Sequence, residues 1–157
     1  MQVTHLLIDG YSLVHQDPSV ADLVPHHLDV ARERLTRKLE EVARDFASAT
    51  TVVFDGRQEA QERQLTSSLL DIVFSPRHLT ADTVIERMVE EASHPETILV
   101  VTSDHAERDT VSSAGAQTMS CRQFLETCER RRSQHSETSH RISKSKGFAL
   151  GDSFPEL

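Results

Sequence analysis

The sequence predicts a three-layer α/β domain with a mainly parallel central sheet, and three observations carry that expectation. Short apolar runs alternate with amphipathic helical stretches along most of the chain, the pattern of strands joined by crossover helices. The run Ile98-Leu99-Val100-Val101 sets aliphatic residues side by side, which suits a strand covered on both faces. Several runs close on an acid, at Asp9, Asp55 and Asp104, where the strands of an open sheet deliver side chains to one edge. At 157 residues the chain is long enough for one hydrophobic core.

The elements follow in order. Residues 3–9 read as a buried strand ending in Asp9-Gly10. A helix is expected over 26–47, because Leu28, Ala31, Leu35, Leu39, Val42 and Phe46 recur at intervals of three and four while Arg and Glu fill the other side. Residues 51–56 form a second strand closed by Asp55-Gly56, and 70–75 a third, stopped by Pro76. The stripe Val84, Ile85, Met88, Val89 and Ala92 predicts a helix over 80–93. The central strand at 97–104 leads into a helix over 104–114, with Gly115 at its C-terminal end. A short strand at 117–119 precedes a last helix through 132, opened by Ser120 and Gln123 in a capping-box pattern. The expected organisation is one domain over residues 1–132 and a basic, flexible tail over 133–157 that lacks periodicity.

Charge divides along the same line. Residues 1–120 hold 10 Lys+Arg against 20 Asp+Glu, whereas residues 121–157 hold 7 against 5, inside a total of −8. The body is acidic and the tail basic, with Arg141, Lys144 and Lys146 the candidates for phosphate contacts beyond the domain. Six Phe, one Tyr and no Trp argue against an interface built mainly on stacked bases. The chain has neither a membrane-length apolar stretch nor a leader-like N-terminus, so a cytoplasmic protein with no membrane partner is expected. Cys121 and Cys128 are seven apart on one helix face, which predicts reduced, half-buried thiols and neither a disulfide nor a zinc site.

In a parallel sheet the C-terminal strand ends share an edge, so Asp9, Asp55 and Asp104 should converge. Turn chemistry and helix capping would also place acids there. Asp82 and Glu86 sharpen the functional case: one helical turn apart, they border the apolar stripe of their helix. Carboxylates gathered in one crevice repel each other unless a cation neutralises them. An all-oxygen set favours Mg²⁺ or Mn²⁺ over Zn²⁺, and such an ion polarises water for attack on phosphorus. Other chemistries on this fold lack their motifs. Neither a dinucleotide-binding glycine pattern nor a P-loop is present. A haloacid-dehalogenase phosphatase would need an Asp where Tyr11 stands, and a receiver domain a Lys between Glu40 and Lys144. Ser12, Ser103 and the nine His form no nucleophile motif, although His105 adjoins the predicted site and is a candidate substrate contact.

Taken together, Leu7-Ile8-Asp9-Gly10-Tyr11-Ser12-Leu13-Val14, Val53-Phe54-Asp55-Gly56, Ala81-Asp82-Thr83-Val84-Ile85-Glu86 and Val101-Thr102-Ser103-Asp104 resemble, in order and spacing, the YacP-like branch of the NYN domains. These are PIN-like (FLAP-nuclease-like) ribonucleases, and the resemblance covers about residues 3–130. It implies a PIN-like α/β/α fold and a metal-dependent endoribonuclease in which Asp9, Asp82 and Asp104 bind Mg²⁺ or Mn²⁺. Glu86 and Asp55 would support them as ligands or as groups that orient water, and Tyr11, Ser12, Ser103 and His105 would meet the substrate. It further implies RNA as partner, with the ribosome behind it, since some family members act on ribosome-bound mRNA, and a bacterial cytoplasm or a plastid stroma as setting. The family typically reads Asp-Gly-Tyr-Asn where this chain has Ser12, so one amide contact is replaced by a hydroxyl. Two further readings stay open beside the nuclease: a non-catalytic module docking on RNA, the ribosome or a protein, and a small phosphomonoesterase.

Overall fold

The computed structural model describes residues 2–56 and 65–134. Its strands are β1 (His5–Asp9), β2 (Ala49–Phe54), β3 (Asp71–Phe74), β4 (Ile98–Val101) and β5 (Gln117–Met119), all parallel, in the order β3-β2-β1-β4-β5. The helices are α1 (Gly10–Gln16), α2 (Leu28–Val42), α3 (Ala81–Glu91) and α4 (His105–Ser113), followed by α5 over 121–134. The expected elements are present with their ends shifted by a few residues: most are shorter, β2 starts at Ala49 and α5 runs to 134. The tail assigned to 133–157 lies outside the described residues from 135 onward, and with it Arg141, Lys144 and Lys146.

Strand alternation divides the core into two layers. Leu6, Ile8, Val52, Phe54, Leu99 and Val101 face α1, α2 and α5, where they pack with Leu13, Leu35, Leu39, Cys121 and Phe124. Leu7, Val53, Ile98 and Val100 face α3 and α4, meeting Ile85, Val89 and Val111. Each fully buried aliphatic side chain contributes about 1.5–3 kcal/mol, and the central strands spend theirs on both faces. Cys121 and Cys128 are reduced as expected but fully buried, with their thiols pushed up to about 12, first by burial. Neither carries thiolate chemistry at neutral pH.

Helix α1 follows directly on β1 and was not among the expected elements. Asp9 caps this helix, accepting from the Ser12 amide, and Gly10 is its first residue. With only Leu13 and Val14 buried beside Gly10, so short a helix has too little periodicity to be legible. Gly10 is required by close packing: a Cβ there would lie 2.4 Å from Phe54 Cδ1 and Cε1. The Phe54 ring cannot retreat easily, since it is flanked by Phe74 at 5.6 Å and Tyr11 at 5.5 Å between centroids. Gly10→Ala is therefore expected to destabilise by about 1–3 kcal/mol, the reverse of the usual helical preference for Ala. Midpoints of urea unfolding for the two proteins measure this directly.

Candidate active site

The sheet reverses its winding between β1 and β4, and the crevice outside the strand ends opens there. A cleft of about 490 Å³ at this point is lined by Asp9, Asp55, Asp82, Ser103 and Asp104, by Thr80 and Ala81 at the start of α3, and by Tyr11, Ser12, His15, Val24 and Leu28 from the segment after β1. Of the predicted residues, the structure brings Asp9, Tyr11, Ser12, Asp55, Asp82, Ser103 and Asp104 to this cleft and leaves Glu86 and His105 out of its lining. Glu86 falls away because α3 starts at the sheet edge and runs back from it, so four residues carry the side chain about 6 Å away. His105 is exposed at the start of α4.

The tightest cluster is Asp9, Asp82 and Glu107, each offering a carboxylate oxygen within 4.8 Å of the others. Glu107 is the member that sequence reasoning missed. It sits one turn after the cap of α4, and with Val111 it occupies the buried side of that helix at 1% exposure. An acid in register with a buried apolar position was the available signal. Asp104, which the resemblance assigns to the metal, lines the cleft, is exposed and caps α4, accepting from the Ala106 amide at 2.9 Å and the Glu107 amide at 3.2 Å. It stands beside Asp82, whose carboxyl its charge helps to raise. Asp55 is half-buried on the cleft wall, outside the cluster of three.

Hydroxyls tie the cluster together. The Ser12 hydroxyl donates to Asp9 Oδ2 at 2.9 Å, and its amide to Oδ1 at 3.3 Å. Thr102, fully buried between β4 and α4, lies 2.7 Å from Glu107 Oε2 and 3.4 Å from Asp9 Oδ2, and accepts from the Asp104 amide at 3.2 Å. One hydroxyl proton cannot serve two carboxylates, so the arrangement is complete only when one of them is protonated. Burial, and then the charge of Asp9, lift Glu107 to about 9. The same two causes lift Asp82 to about 6. Without a cation the cluster thus keeps a proton at neutral pH.

Glu107 Oε1 is buried without a hydrogen-bond donor of good geometry, on a carboxylate that interacts with Asp82 and Asp9. Together with the oxygen-only donor set, it fits a hard dication. The hydroxyl and amide of Ser12 both hold the Asp9 carboxylate in place. Ser12→Ala should weaken Mn²⁺ binding about tenfold by calorimetry, the usual cost of losing a group that orients a ligand. Helix α1 should persist, because the residue-12 amide still reaches Asp9.

The parallel five-stranded sheet with an acid-lined crevice at its switch point matches the fold of solved YacP structures, a PIN-like nuclease fold. The YacP-like NYN domain profile matches residues 6–155, and the chain belongs to that family. It is 32% identical over 131 residues to the uncharacterized protein YacP of Bacillus subtilis (strain 168), covering 80% of this chain and 77% of that one. The crystal structure of Rae1 (YacP) from Bacillus subtilis, in a W164L mutant, superposes with a TM-score of 0.77 at 26% identity over 90% of this chain and 85% of that one. A second crystal structure of Rae1 (YacP) gives 0.70 at 27% identity over 99% and 91%. Membership supports a ribonuclease-type function. No helix among the described residues is long and apolar enough to cross a membrane.

Proposed function

We propose that the chain is an endoribonuclease dependent on Mg²⁺ or Mn²⁺. The observation that carries this reading is the cluster of Asp9, Asp82 and buried Glu107 at the switch point of a nuclease-family fold. These three would hold the ion, with Asp104 and Asp55 at the cleft wall to orient water and Ser103 to meet the substrate. When bound, the ion neutralises the carboxylates and supplies a polarised water for in-line attack on a phosphodiester. Thr102 and Ser12 fix the carboxylates, so that little reorganisation accompanies the reaction. Glu86 and His105 have no part in this assignment. An acidic body repels free RNA, so RNA presented by a larger particle, the ribosome, suits this charge distribution better than capture from solution.

The test pairs Mn²⁺ calorimetry with cleavage of single-stranded RNA, free and ribosome-bound. Expected are one binding event, cutting that EDTA stops, and products with 5′-phosphates. Binding of Mn²⁺ without cutting in either format would favour a non-catalytic RNA-binding module. Release of phosphate from a simple monoester would favour a phosphomonoesterase.

A further inference from the structure

We propose that Tyr11, Val24 and Leu28 seat a single unstacked nucleobase beside the bond to be cut; this inference rests on the nuclease reading of the same cleft. The cleft is chemically divided: carboxylates from the strand ends and α3 share it with a phenol ring and two aliphatic side chains. Phosphate, ribose and water gain nothing from an aliphatic wall. The planar apolar part of an RNA strand is the face of its base.

Tyr11 is built as a fixed platform. Its ring meets Phe54 edge to face at 5.5 Å and 68°, and its hydroxyl accepts from Arg32 Nη1 at 3.1 Å. Arg32 is itself 5% exposed, its guanidinium 5.9 Å from the Phe54 ring centre and 5.7 Å from that of Phe74. A ring held at both ends loses little freedom when a base stacks on it. Val24 packs partly on the core, but Leu28, the first residue of α2, is half-buried in the cleft and belongs to neither core cluster. The core does not account for Leu28; a ligand would.

A base inside a duplex has both faces covered by its neighbours, so the seat accepts only single-stranded or flipped-out nucleotides. The shortage of aromatic residues limits it to one base rather than a track.

The experiment measures Mn²⁺-dependent cleavage of a short single-stranded oligoribonucleotide and of versions with one abasic position at each site flanking the cut. For the wild-type protein, removal of the base at one flanking position should raise KM about 10- to 100-fold, with kcat within threefold. Leu28→Ser and Tyr11→Ala should raise KM on the full oligonucleotide and add nothing on that abasic one, while Tyr11→Phe, which keeps the ring, recovers most of the loss. Equal penalties at every abasic position, or a Leu28→Ser penalty that persists in full on the abasic substrate, would overturn the seat. A non-cleavable oligonucleotide with 2-aminopurine at that position separates this inference from the nuclease reading. Quenching of its fluorescence in Mg²⁺ supports the seat even if no oligonucleotide is cut, and unquenched fluorescence with bound protein rejects it.

Discussion

Asp82→Asn is expected to lower cleavage of single-stranded RNA in Mn²⁺ by roughly 10²- to 10⁴-fold, the range seen when a charge-stabilising group is removed from an active site. The same substitution should raise the melting temperature of the metal-free protein by about 2–4 °C, corresponding to roughly 1 kcal/mol. The opposite signs have one cause. Asp82, Asp9 and Glu107 offer oxygens within 4.8 Å of one another, an arrangement that suits a dication and repels itself without one. A neutral amide keeps the shape and relieves the repulsion. Glu90, exposed on the far part of the same helix, supplies the control: Glu90→Gln should leave cleavage and melting as they are. An Asp82→Asn protein that cuts at the wild-type rate would exclude this cluster as the catalytic centre.

The second large effect is on pH dependence. In EDTA, stability should fall as pH rises from about 5 to 9. Folded Glu107 keeps its proton to about 9, whereas the unfolded chain releases it near 4.5; for Asp82 the corresponding values are about 6 and 3.8. Between those limits the folded protein binds more protons than the unfolded chain, so the contribution is complete at low pH and is lost as pH climbs through the folded values. His5 acts in the opposite sense, because burial lowers its imidazole below 6.5 and the unfolded chain binds the extra proton there. The net fall should therefore be clearest above pH 7. Glu107→Gln should flatten it and raise the melting temperature at pH 8.5 by about 4–8 °C, some 2 kcal/mol. Saturating Mn²⁺ should flatten it too, since the ion takes the place of the proton. Melting curves of the metal-free protein that superimpose between pH 7 and 9 would show that Glu107 is not held protonated.

How far the sequence reached differs between fold and site. Strands β1, β2 and β4 were legible as short runs of consecutive apolar residues, and α2 and α3 because their stripes repeat with helical period. Helix α1 was not, since seven residues around Leu13 and Val14 carry no measurable period. Asp9 was placed because a parallel sheet sends its strand ends to one edge, and Asp82 because it borders the apolar stripe of α3 near the start of that helix. Glu86 was drawn in by the i, i+4 relation, which fixes a face but says nothing about distance along the helix axis.

The order of apolar runs and acids along the chain determined the parallel α/β architecture and the edge at which chemistry could gather, because pleat, period and crossover handedness are local properties of the polymer. Only the tertiary structure decided which carboxylates meet. Glu107 and Thr102 come together with Asp9 through the packing of α4 against β4, and the pairing of a strand end with a residue about a hundred positions away depends on side-chain volume and helix angle. Burial then gives Glu107 its proton, and the helical register that sets it beside Val111 does not say how completely the packing closes over it.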